Sequence, residues 1–112
     1  MKIVNFPGAA AKTLSREASF IEVFAYIESV PRGVLVFIDR TECSKNYLEN
    51  QPWIAGRAQI VEVDQEMVEI FEVEKIPQFI FYLRGDELGR ITGAIDIFSF
   101  NAFEQELLEK SI

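Results

Sequence analysis

The residues Val34, Leu35, Val36, Phe37 and Ile38 form an unbroken apolar run, closed by Pro31-Arg32-Gly33 on one side and by the polar stretch 39–46 on the other. A β-prone run without alternation offers no face to water. It predicts a central strand buried on both sides, in a sheet with helices on each face. Everything else in the chain has to be arranged around that strand.

The flanking signals supply the other elements. A short edge strand is expected at residues 2–5, ended by Pro7-Gly8. Ser15 reads as an N-cap with Glu17 in the first turn, and Phe20, Ile21, Phe24 and Ile27 fall at helical spacing, which predicts a helix over 16–29. Beyond the central strand, the polar stretch turns into a helix carrying Tyr47 and Leu48, with Pro52 kinking or ending it. Residues 58–63 alternate and are β-rich, and Met67, Val68, Ile70 and Phe71 give a short helix. Ile76-Pro77 precedes the β-prone run 78–83, Arg84-Gly85-Asp86 reads as a hairpin turn, and 88–92 return as the partner strand, closed by Gly93. A final amphipathic helix spans 98–110, with Phe103, Leu107 and Leu108 facing inward. The order is βαβαβαββα: an α/β domain with a mixed central sheet and helices on both faces. At 112 residues, a single domain spanning 1–112 is expected, and 49% hydrophobic residues suffice for its core.

Composition narrows the chemistry. The chain has no histidine and one cysteine, Cys43, so neither a His general base, nor a His or closed zinc site, nor an internal disulfide is available. No metal or cofactor is expected. A net charge of −7 lacks the basic footprint that nucleic acid or anionic lipid requires, and suits a protein partner with a basic face. With no apolar stretch long enough to span a bilayer and no signal-type leader, a cytoplasmic location is expected. The acidic stretch 62–66 with Glu69, Glu72 and Glu74 reads as a solvated helix face or a docking face for a basic partner. Ile97, Phe98 and Phe100 are core residues or a small apolar contact surface, and Trp53 covers a core edge or serves recognition.

Four places carry a family resemblance: the central strand running into the turn with Cys43; Val61-Glu62-Val63-Asp64; Ile76-Pro77; and Tyr82-Leu83-Arg84-Gly85-Asp86 with Gly93-Ala94 after the return strand. In this order they resemble thioredoxin, from about Ser15 to the C-terminus. The resemblance implies a thioredoxin-like fold, a cis-proline at Pro77 facing Cys43, and a peptide groove lined by Glu42, Lys45, Ile76, Pro77, Gly93 and Ala94. It also marks departures. The family's Trp-Cys-Gly-Pro-Cys is matched by Glu42-Cys43-Ser44-Lys45-Asn46, so Asn46 takes the place of the resolving cysteine. The buried Asp and Lys that assist proton transfer fall on Phe37 and Ile60, and Pro52 lies one residue further from Cys43 than the family's spacing.

Two functions follow. A single thiol at a helix start, where unpaired N–H groups and the helix dipole favour thiolate, suits monothiol exchange or redox sensing, with protein thiols or disulfides and glutathione as partners. The lost groups suit instead a redox-inactive adaptor or chaperone-like module that uses the groove beside Pro77.

Overall fold

The computed structural model describes residues 14–111; the expected strand at 2–5 lies outside them. The elements are α1 (Phe20–Ser29), β1 (Arg32–Ile38), α2 (Glu42–Asn50), α3 (Ile54–Arg57), β2 (Gln59–Glu62), α4 (Gln65–Ile70), β3 (Gln78–Leu83), β4 (Asp86–Thr92) and α5 (Ile97–Lys110). Four strands form one mixed sheet in the order β2-β1-β3-β4. β1 runs parallel to β2, with Val36 opposite Ile60, and antiparallel to β3, with Val36 opposite Phe79. β3 and β4 form an antiparallel hairpin.

β1 lies at the centre, and Leu35, Val36, Phe37 and Ile38 are all buried. Alternate side chains go to opposite faces. Leu35 and Phe37 join Val23 and Ile27 of α1, Met67 of α4 and Phe71 at its C-terminal end. Val36 and Ile38 join Ile54 of α3, Phe79 and Phe81 of β3, and Phe100 of α5. The helices therefore divide into two layers, α1 and α4 on one face, α2, α3 and α5 on the other. The second layer is rich in rings: Phe100 lies 5.7 Å from Phe79 and 5.3 Å from Phe81, centroid to centroid. The only tryptophan, Trp53, is half-buried there, parallel to Phe79 at 6.2 Å and 5.0 Å from Phe100.

Several expectations are corrected. α1 starts at Phe20 and its N-cap is Ser19, not Ser15. Ser19 and Glu22 form a capping box: Glu22 N–H donates to Ser19 Oγ at 3.2 Å and Ser19 N–H donates to Glu22 Oε1 at 2.8 Å. Ser15 instead organises the turn before it, accepting from Glu17 N–H. The inward face of α1 is Val23 and Ile27, leaving Ile21 66% and Phe24 43% exposed. In α5, Phe100 is fully buried and Phe98 is 79% exposed, so Ile97, Phe98 and Phe100 form no common surface. Pro52 separates α2 from the short α3. The hairpin turn is a two-residue one, Arg84 at φ 50° and Gly85 at φ 88°, the mirror-type geometry that matches strand twist. Among the described residues, no helix is long and apolar enough to cross a membrane.

Candidate functional site

The site forms where three chain segments meet at one end of the sheet. The first is the start of α2. Its N-cap is Thr41, so Cys43 stands at the second helical position, exposed. The cap is built on Asp39, whose Oδ1 accepts from Thr41 N–H at 3.1 Å, Thr41 Oγ1–H at 2.6 Å and Ser44 Oγ–H at 2.7 Å. Thr41 Oγ1 in turn accepts from Ser44 N–H at 3.3 Å. These hydroxyls, Thr41 first and Ser44 second, hold the Asp39 carboxyl below the usual carboxylate range. Its negative charge is thereby engaged by local donors.

The second segment is the loop into β3, where the Ile76–Pro77 bond is cis. Gln78 behind it is 2% exposed, and its Oε1 accepts from Glu74 N–H at 3.3 Å, tying the middle of the loop to the start of β3. The third is the turn after β4, with Gly93 at φ 104°, a left-handed conformation that glycine adopts without strain. Gly93 N–H donates to Pro77 O at 2.9 Å, joining the second and third segments. Tyr47 of α2 donates its hydroxyl to Ile95 O at 2.7 Å, joining the first and third. Burial, and secondarily the Asp96 carboxylate, push the Tyr47 phenol up to about 12.

Together the segments line a shallow depression of ≈ 270 Å³, formed by Cys43, Tyr47, Ile76, Pro77, Gly93 and Ala94, with Asp39, Thr41 and Ser44 at its α2 side. Of the residues expected at a groove, the structure brings Cys43, Ile76, Pro77, Gly93 and Ala94 together here. Glu42, Lys45 and Asn46 are exposed on α2 and are not among its lining residues. Lys45 lines a separate hollow with Arg16, Arg40 and Glu62. Phe37 and Ile60 lie within the two core layers. Sequence reading missed Tyr47, Thr41, Ser44 and Gln78. The Asp39-x-Thr41-x-x-Ser44 spacing was the available signal for the cap; nothing in the sequence singles out Tyr47 from an apolar helix position.

An α/β sandwich with a cysteine at a helix start beside a cis-proline loop is the arrangement of the thioredoxin fold, and this chain has that fold. Among solved structures it resembles mitochondrial thioredoxin 3 from Saccharomyces cerevisiae in its oxidized form, at 17% identity over 90% of this chain and 97% of that one, with a TM-score of 0.56. It also resembles oxidised thioredoxin from Plasmodium falciparum (19% identity, 84% and 94% covered, TM-score 0.55). Thioredoxin from Fasciola hepatica is a further match (17% identity, 77% and 89% covered, TM-score 0.57). At these identities the likeness is one of fold. No protein-family model matches the sequence, and no curated protein matches it.

Proposed function

We propose that this protein carries out monothiol thiol–disulfide exchange, with Cys43 as the nucleophile. The observation that supports this most is the shared depression: the one thiol of the chain is exposed and borders the same surface as Ile76, cis-Pro77, Gly93 and Ala94. The Cys43 thiolate attacks one sulfur of a partner's disulfide. That S–S bond breaks, the displaced sulfur departs as thiolate and takes a proton from water, and a mixed disulfide with Cys43 remains. A second thiol, from glutathione or a protein, attacks the mixed disulfide and releases Cys43 as thiolate. With one cysteine in the chain, this second thiol is supplied in trans. The backbone at Ile76 offers strand-like pairing to an extended peptide bound in the depression.

The test is the alkylation rate of Cys43 by iodoacetamide at neutral pH, in folded and urea-unfolded protein, together with trapping of a mixed disulfide by glutathione disulfide. Faster reaction in the folded state and an adduct lost in Cys43→Ser are expected. A folded-state rate at or below the unfolded one would exclude the proposal.

A redox-inactive binding module is the second reading, favoured by Phe37 and Ile60. Where the family resemblance places an Asp and a Lys that relay protons, this chain has a fully buried Phe37 packed 5.2 Å from Phe71, and an Ile60 in the other core layer. In that case Cys43→Ser leaves partner binding unchanged.

A further inference from the structure

The layer formed by α1 and α4 lies on the sheet face opposite α3 and α5, and its outer surface has two unusual properties. The first is exposed apolar area. Ile21 and Phe24 lie one turn apart on α1, 66% and 43% exposed, and Ile70 at the end of α4 is 39% exposed. The Phe24 ring stacks on Phe71 at 5.0 Å and meets Phe20 edge-on at 6.4 Å, so it bridges the two helices instead of pointing away from them. Ile21, Phe24 and Ile70 make up three of the four large apolar side chains exposed among the described residues.

The second property is charge. Segments 18–30 and 64–75 carry Glu22, Glu28, Asp64 and four further glutamates against one cation, Lys75. The rest of the chain holds ten Lys or Arg against eleven Asp or Glu, so nearly all of the net −7 resides on the two helices and the residues that flank them. These carboxylate side chains belong to exposed residues. The five ion pairs among the described residues involve other carboxylates: Glu17, Glu62, Glu87, Glu104 and Glu106. Arg90, which donates to Glu72 O at 3.0 Å, has its guanidinium paired with Glu87.

We infer that the α1–α4 face is a docking surface for a basic amphipathic segment of another protein: apolar anchors seated against Ile21, Phe24 and Ile70, flanked by Lys or Arg that meet the surrounding carboxylates. Charge selects this occupant. A second copy would bring two strongly acidic faces together, and an anionic membrane surface would be repelled in the same way. A cation-flanked apolar stripe satisfies both properties of the face, and exposed apolar surface rimmed by charge is how helix-in-groove partners are recognised. The surface is independent of Cys43.

The probe is a synthetic helical peptide with leucines along one stripe and lysines on its borders, with a scrambled peptide of the same composition as control. Amide shifts in Phe20–Ser29 and Gln65–Ile70 are expected on titration, with binding weakened by salt and at least about tenfold weaker for the scrambled peptide. Ile21→Ser alters a largely exposed side chain and Ile70→Ser a partly exposed one; circular dichroism checks that each is folded, and each is expected to weaken binding about tenfold. Cys43→Ser should bind as the parent. Shifts centred on Cys43 and Gly93, equal binding of the scrambled peptide, parental affinity in both isoleucine variants, or self-association through this face would overturn the inference.

Discussion

At the scale of single residues, the site depends on a small polar cluster that the apolar pattern does not reveal. Ser44 is 5% exposed and spends its hydroxyl on Asp39, which fixes the first turn of α2 and so the position of Cys43 one residue before it. Ser44→Ala removes that donor at a cost of about 1 kcal/mol, read as a lower urea midpoint. It also changes the acid limb of stability. The Asp39 carboxyl is held below its ordinary range in the folded state, so its contribution is present above the unfolded value and is lost as pH falls through the folded one. With one of its two hydroxyl donors gone the depression shrinks. Acid unfolding of Ser44→Ala is therefore expected to begin at higher pH than in the parent, as followed by circular dichroism.

At the scale of elements, the contacts between segments determine whether the groove keeps its shape. The Tyr47 hydroxyl ties α2 to the turn after β4, and its phenol titrates at about 12 against an ordinary 10.0; Tyr82, buried in the other layer, is likewise pushed to about 12 by burial first and Glu87 second. Both values are raised, so the folded state retains protons that the unfolded chain gives up. Their contribution is intact below about pH 10 and is lost as pH rises towards about 12. Tyrosinate absorbance should accordingly appear late and together with unfolding, and Tyr47→Phe should remove part of the alkaline sensitivity. Element type was legible where sequence period and burial agreed. β3 matches its expected span because 78–83 is β-prone throughout, and the buried run of β1 was legible for the same reason. The start of α1 was misplaced because Ser15 and Ser19 are both plausible caps; the reciprocal partner Glu22, three residues after Ser19, distinguishes them. The inward face of α1 was not legible because Ile21 and Phe24 satisfy helical spacing as well as Val23 and Ile27 do. Periodicity identifies an apolar stripe but not which of two overlapping stripes meets the sheet. That Ile76, Pro77, Gly93 and Ala94 lie together beside Cys43 was legible through a family resemblance and not through their chemistry. The tyrosine that joins their walls was not, since its hydrogen bond spans 48 residues of sequence.

At the scale of the whole molecule, the two layers are unequal in how they are held. The α3–α5 layer is built on an aromatic cluster around Phe100, which is fully buried and within 6 Å, centroid to centroid, of Trp53, Phe79 and Phe81. Phe100→Ala would leave a cavity between α5 and the sheet and cost about 3–5 kcal/mol, a large share of the stability of a domain this size. A fall of many degrees in the thermal midpoint is expected. The α1–α4 layer is held mainly by aliphatic packing, with Phe71 meeting Phe24 and Phe37, and its segments carry most of the net negative charge.

The placement of Trp53 gives the molecule a built-in optical reporter. With one indole in the chain, half-buried against Phe79 and Phe100, tryptophan emission reports on the α3–α5 layer. Melting of that layer would shift the emission to longer wavelength. A peptide settling on the far side of the sheet would leave the spectrum largely unchanged. Loss of the fold can therefore be followed in an unlabelled sample while the far surface is occupied.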